Sequence, residues 1–114
     1  MDNDQVEAIE KQLQAARVVV EFGNALARLK SNRDFKEVVL KGYFETEAIR
    51  LVHLKASPHM QSAESQASIV SQMDAIGSFS AYLNAGLAKA SMASRAMEDS
   101  EAALADINNE PVTE

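Results

Sequence analysis

The chain of 114 residues contains no cysteine and no tryptophan, and it has two prolines, four glycines and 5% aromatic residues. Without cysteine there is no disulfide framework, no thiolate zinc site and no cysteine nucleophile. Scarce proline, glycine and aromatic residues favour helix, and 46% hydrophobic with 25% charged residues is typical of a folded chain. We therefore predict an all-α fold and one helical domain over residues 1–114.

The sequence also lacks any apolar run near the ~20 residues that a bilayer span requires, so we expect no membrane span and no signal peptide. Basic side chains are fewer than acidic ones: 11 Lys and Arg against 17 Asp and Glu give a net charge of −6. This deficit lies in residues 58–114, which contain two basic residues and eight acidic ones. The sign of the charge is wrong for a phosphate backbone, so we do not expect direct nucleic-acid binding.

No glycine-rich phosphate loop, nucleophile elbow or His-Glu-x-x-His motif occurs, so the sequence predicts no enzyme, no cofactor and no metal site. His53 and His59 are six residues apart and do not share a helical face. We interpret His53, between Val52 and Leu54, as a packed or hydrogen-bonded histidine. Two sets of side chains are interpreted as solvated, salt-bridged helix surface: the carboxylates Glu45, Glu47, Glu98, Asp99 and Glu101, and the basic residues Arg28, Lys30, Arg33, Lys36 and Lys41.

Helix-breaking and capping residues, together with the periodicity of apolar residues, divide the chain into predicted elements. Pro58 breaks helical geometry, Gly42 is predicted to end a helix, and Ser31 is predicted to cap the helix that follows it. The densest hydrophobic block, 43–55, is predicted to hold the core. The predicted elements are a helix over about 4–30, short helices over about 33–41 and 44–55, a break over 56–62, a long helix over about 63–108 and an acidic tail over 109–114.

The first predicted helix has apolar or small residues at steps of three and four, which indicates one buried face. After residue 20 we expect this face to shift, near Gly23. The face consists of Val6, Ile9, Leu13, Ala16 and Val20, followed by Phe22, Leu26 and Leu29.

The long predicted helix follows a seven-residue pattern that indicates a coiled-coil-like contact. It would be ~65–70 Å long, which exceeds the width of a compact domain of this size, so we predict a helical hairpin or small bundle that forms an oligomer. Gly77 and Gly86 either break the helix or permit close helix approach. The pattern is weak at Ser80, Ser94 and Glu101, and its predicted interaction residues are Ile69, Met73, Ile76, Leu83, Leu87, Met97 and Leu104.

Three segments carry a resemblance to a group of known proteins: Asn32-Arg33-Asp34-Phe35-Lys36, Gly42-Tyr43-Phe44 and Glu47-Ala48-Ile49-Arg50-Leu51-Val52-His53-Leu54. With looser similarity further along, about two-thirds of the chain resembles short helical proteins encoded by tailed bacteriophages, mostly of unassigned function. The resemblance implies a viral origin, a role in or beside the virion, and a location in the virion or the host cytoplasm. It implies no active-site residue.

Two functions remain from these observations, with a third ranked last. The first is a non-enzymatic bacteriophage structural or morphogenesis protein, such as a minor capsid, head-tail or assembly component. It would act through helix–helix contacts with copies of itself or with virion proteins. The alternative is a small acidic phage inhibitor that binds a host defence or transcription protein through the acidic stretch 98–114. The third is a nucleotide-binding protein that uses Arg28, Arg33 or Lys36 for phosphate, although no dedicated loop is present.

Overall fold

The computed structural model describes residues 3–109, and all regular structure in that range is helical. The elements in chain order are α1 (Asn3–Ser31), α2 (Arg33–Phe35), a π-helix (Lys36–Glu47), α3 (Ala48–Ala56), a 3₁₀ turn (Pro58–Met60) and α4 (Ala63–Asn108). The predicted all-α fold with one long C-terminal helix is therefore confirmed.

The predicted bounds of the two long helices, 4–30 and 63–108, agree closely with α1 and α4. The predicted break over 56–62 corresponds to residues 57–62, because α3 continues through Ala56. The predicted acidic tail over 109–114 lies, apart from Asn109, outside the described residues. Contacts divide the described residues into two compact units, and the single domain stays a prediction.

The prediction that Gly42 ends a helix is wrong. The short helices predicted over 33–41 and 44–55 are parts of one helical run over 33–56, whose middle is the π-helix. A glycine ends a helix by adopting a positive φ, and among the described residues no glycine does so. Gly42 instead lies inside the π-helix, in which backbone bonds span five residues rather than four.

Two side chains cap helices at the bends of the chain. Asn32, rather than the predicted Ser31, caps the run over 33–56: its Oδ1 accepts a hydrogen bond from the Phe35 N–H at 2.9 Å. Ser31 still belongs to α1. Ser62 caps α4, since its Oγ accepts from the Ser65 N–H at 3.0 Å.

Two glutamines hold the corner between α3 and α4. The Gln61 amide donates to the carbonyls of Lys55 at 2.9 Å and Ser57 at 2.7 Å. The Gln66 amide donates to the same Lys55 carbonyl at 3.0 Å and to the Met60 carbonyl at 2.7 Å. The Lys55 carbonyl is one that the end of α3 leaves without a helical partner, so two of these bonds satisfy it, and Gln66 ties the start of α4 to that end.

The second compact unit, residues 27–85, has a core of large side chains. Leu51 of α3 is fully buried, and Ile69 and Ile76 of α4 are exposed by 1% and 8%. The predicted core in the block 43–55 is confirmed, because much of this cluster comes from that block. The partly buried side chains packed against the three are Tyr43, Phe44, Ala48, Leu54, Met60 and Met73.

The first compact unit contains residues 3–26 of α1, residues 86–108 of α4 and Asn109, and two glycines lie at its helix contact. A Cβ at Gly23 would collide with the Ala90 Cβ, and a Cβ at Gly86 would lie 2.5 Å from Leu26 Cδ1. Residue numbers rise along α1 as they fall along α4, so the two helices are antiparallel in this unit. The buried face of α1 stays on Gly23 and Leu26 and does not shift to Phe22, which is 44% exposed.

The long helix α4 continues through both of its glycines. Gly86 is buried and permits close helix approach, whereas a Cβ at Gly77 would meet nothing within 4 Å. At two weak positions of the predicted heptad pattern, Ser94 and Glu101, the side chains are exposed. The residues immediately before them, Ala93 and Ser100, are less exposed. This offset arises because the faces of a straight α-helix drift relative to a strict seven-residue repeat.

Within residues 3–109, no helical stretch combines the length and the apolar character that crossing a bilayer would require.

Candidate protein-binding groove

The second unit contains an open groove of about 690 Å³ between the helical run 33–56 and α4. Seven of its nine lining residues are apolar or glycine, and Glu47 and Gln72 are the polar ones. The lining consists of Val38, Val39, Gly42, Tyr43, Glu47, Leu51, Gln72, Ala75 and Ile76. A mostly apolar, concave surface with few polar groups is typical of a binding site.

The π-helix supplies five of those nine residues. Val38 is 67% exposed, although a valine at a helix contact would normally be covered. π-helical turns are rare in proteins and occur frequently at functional sites. The unusual backbone of this chain therefore coincides with its apolar groove.

An aromatic cluster adjoins the groove. The ring centroids of Phe44 and Phe79 are 5.6 Å apart, those of Tyr43 and Phe44 are 5.8 Å apart, and those of Tyr43 and Phe79 are 6.3 Å apart. These distances and the tilted ring planes are typical of favourable aromatic packing. The cluster joins the π-helix to α4 and fixes Tyr43, which also lines the groove.

Glu47 places a negative charge on the groove, and it pairs with Arg50 one turn later. Arg50 Nε donates to both carboxylate oxygens of Glu47 at 3.0 and 3.1 Å, and Arg50 Nη2 donates to Glu47 Oε1 at 2.5 Å. The hydrogen bond from Arg50, with its positive charge, lowers the pKa of Glu47, and the same bond raises the pKa of Arg50. Both side chains remain accessible to solvent, so Glu47 is ionised at neutral pH and can exchange partners.

A second, shallower depression of about 680 Å³ gathers part of the basic cluster noted in the sequence. It brings Arg33, Lys36 and Lys41 together with Glu37 and Glu45. The mixture of signs gives no concentrated positive field of the kind that phosphate recognition requires. All five of these charged side chains are exposed, which confirms a solvated surface, whereas salt bridges among them stay a prediction.

The predicted interaction residues on α4 contact the chain itself. In the second unit Ile69, Ile76 and Leu83 are buried and Met73 packs partly buried on the core. In the first unit Leu87, Met97 and Leu104 are half-buried. Their role as an interface with another protein stays a prediction, although the buried residues cannot contact a partner without opening the unit.

Of the nine groove residues, Ile76 alone was among our predicted interaction residues, and the other eight, Val38, Val39 and Gly42 among them, were absent. The sequence identifies the two valines as apolar positions of a short helix, but nothing in it indicates a π-helix or a helical Gly42. The one available signal was the pair of adjacent valines in a helix too short to bury both.

No three potential metal ligands lie together among residues 3–109. His53 and His59 are both exposed, so of our two interpretations of His53 the packed one is wrong and the hydrogen-bonded one stays a prediction. The core side of α3 is occupied by Leu51 and Leu54 instead.

In comparisons with protein-family models, curated proteins and solved structures, the chain matches none.

Proposed function

We propose that this chain is a non-enzymatic structural or morphogenesis protein that acts through helix–helix contacts with copies of itself or with larger proteins of a particle. The resemblance to short tailed-bacteriophage proteins suggests a phage particle, with roles such as minor capsid, head-tail or assembly component. The observation that carries the proposal is the open apolar groove between two helices of the second unit.

The groove supports this function because it leaves a helix contact incomplete. Apolar side chains on two neighbouring helices face a concavity that no other part of the described second unit fills. A third helix laid into such a groove would bury apolar surface from both, which is a recurring mode of protein recognition. Each 100 Å² of apolar surface so buried contributes about 2.5 kcal/mol before the costs of association.

The function is tested by mass analysis of purified particles of the phage that encodes the chain. A fixed copy number relative to the major capsid protein and the portal would support a structural role. Absence from clean particles, together with a monomeric mass by sedimentation equilibrium and no co-purifying assembly intermediate, would overturn it. Exposed positions should be used for interface variants, because charging the buried Leu83 would unfold the unit rather than probe a contact.

The alternative, an acidic inhibitor of a host defence or transcription protein, has one observation in its favour. After Arg95, the described part of α4 contains only acidic charged residues, and all are exposed: Glu98, Asp99, Glu101 and Asp106. Exposed acidic side chains on one helix end can occupy a basic groove.

Amide substitution tests this alternative better than truncation. Truncation after Met97 would also remove Leu104, which is half-buried in the first unit, so lost binding could reflect lost folding. Changing the four carboxylates to Asn and Gln keeps shape and removes charge. An inhibitor should then lose target binding and its salt dependence, whereas a structural protein should keep its copy number in particles.

A further inference from the structure

The groove of the second unit has the form of a helix-binding site. Its walls are two helices, and Gly42 on the π-helix and Ala75 on α4 place little side-chain volume along it. The described residues contain no strand, so they offer no sheet edge to which an extended peptide could add. A helical occupant, which satisfies its own backbone groups, suits such an apolar concavity best.

The charge on the groove restricts the chemistry of that occupant. Among the nine lining residues Glu47 is the one with a formal charge, and it is negative. Its ion pair with Arg50 is exposed to solvent and gives little stability, so a cation from an incoming helix can join or replace Arg50. Arg50 does not line the groove, so an acidic side chain placed there would meet the Glu47 carboxylate rather than the guanidinium, and it would lose its hydration.

We propose that this groove binds an amphipathic helix of a partner protein, one whose apolar face is bordered by a lysine or arginine that meets Glu47. The proposal rests on the function proposed above and specifies its site and the chemistry of its partner. Nine residues line the groove, fewer than the roughly 20–30 residues that each protein contributes to a standard interface, so one helix should bind with micromolar rather than nanomolar affinity.

The probe is a pair of synthetic helical peptides, each with the same leucine face. One has lysines at the edge of this face and the other has glutamates at the same positions. Each is titrated into the full chain labelled with ¹⁵N. Amide shifts should map to Val38, Gly42 and Ala75, and the lysine peptide should bind about tenfold more tightly than the glutamate peptide. Equal binding of the two peptides, or shifts confined to the other side of α3, would overturn the proposal.

Val38→Glu tests the apolar wall of the groove. Because Val38 is 67% exposed, the variant should fold normally while placing a carboxylate where the peptide's leucines must pack. Binding of the lysine peptide should weaken by about tenfold or more. Thr46→Glu is the matched control, since Thr46 has nearly the shape of valine, is exposed on the same π-helix and does not line the groove. A comparable loss in the control would contradict the site.

Glu47→Gln tests the charge and Glu45→Gln is its control. Glu45 is on the same π-helix but lines the second depression rather than the groove. Glu47→Gln should reduce binding of the lysine peptide several-fold, reduce its salt dependence, and leave the glutamate peptide unchanged or slightly tighter. An effect of the same size at Glu45 would indicate general attraction to an acidic chain and would overturn the role of Glu47.

Further measurements separate the groove from the broader function. Sedimentation equilibrium of the wild type and Val38→Glu identifies the occupant: self-association that is lost in the variant would mean that a second copy fills the groove, which overturns a partner helix. If the lysine peptide binds as expected but the chain is absent from particles and assembly intermediates, the proposed function fails and the groove stands. If Val38→Glu enters particles at the normal copy number, the groove proposal fails and the function stands.

Discussion

In the first unit, α1 and α4 meet where Gly23 lies against Ala90 and Gly86 against Leu26, whereas in the second unit isoleucines and a phenylalanine of α4 pack with Leu51 and the aromatic rings of the π-helix. Gly23 lies against Ala90 so closely that even a methyl group would collide there. Leu51, by contrast, is a large side chain with no exposed surface. Helices are therefore joined in two different ways. Close approach requires small residues at the contact, and a core requires large side chains that fill the space between the helices.

The same contrast explains where the groove occurs. Two helices in close approach leave no concavity between them. In the second unit, the π-helix and α4 border an open groove where Val38 is exposed. The proposed binding groove therefore belongs to the second unit.

The largest expected change in stability comes from truncating a core side chain of the second unit. Leu51→Ala should lower the free energy of unfolding by about 2–5 kcal/mol, because it creates a cavity in the centre of the core. Urea denaturation followed by circular dichroism measures it. The neighbouring Val52→Ala is the control, since Val52 is 55% exposed and its truncation should change stability by less than about 0.5 kcal/mol. Similar values for the two variants would show that Leu51 is not the centre of this core.

The next effect is the addition of volume to the first unit. Gly23→Ala should lower the free energy of unfolding by about 1–3 kcal/mol, because the new Cβ meets the Ala90 Cβ, which cannot rotate away. Gly77→Ala is the matched control: its Cβ meets no atom within 4 Å, so the better helix propensity of alanine should raise stability by about 0.5–1 kcal/mol. Stabilisation by both substitutions would mean that α1 and α4 do not approach closely.

Gly86→Ala should cost less than Gly23→Ala, about 1 kcal/mol or below. The new Cβ would lie 2.5 Å from Leu26 Cδ1 and 3.0 Å from Phe22 Cε1, and both atoms are at the ends of side chains that can rotate. A double-mutant cycle with Leu26→Ala measures this contact. The two substitutions should be less destabilising together than their sum, since the added methyl group occupies space that the leucine leaves. Additive effects would place Leu26 away from Gly86.

The ends of the long helices could be predicted from the sequence because local signals determine them. Pro58 keeps the residue before it out of α-helical geometry at one bend, and the three- and four-residue steps of apolar residues identify α1 and α4 almost to their ends. The role of Gly42 could not be predicted. Whether a glycine ends a helix depends on the φ angle that tertiary packing selects, and the sequence does not contain that angle.

The groove could not be predicted for a related reason. Apolar periodicity at Ile69 and Ile76 indicates that these residues are covered, but it does not say by what, and the chain's own core covers them rather than a second copy. The open space beside Val38 depends on where the π-helix lies relative to α4. That placement is a tertiary property, and no motif of this chain indicates it.

The smallest expected effect concerns the ion pair at the edge of the groove. Arg50 lowers the pKa of Glu47 below its ordinary value of 4.5. Between the lowered pKa and 4.5, the folded state therefore binds fewer protons at this carboxyl than the unfolded state does. Its stabilising effect is therefore fully present above pH 4.5 and is lost as pH falls through the lowered pKa. Glu47→Gln should reduce stability slightly at neutral pH, and the difference from the wild type should shrink in acid and in high salt. Urea denaturation at a series of pH values measures this difference in stability. Glu45→Gln is the control, because Glu45 does not form the ion pair with Arg50. A difference that grows toward low pH would reverse the sign and would show that Glu47 is not held ionised by Arg50.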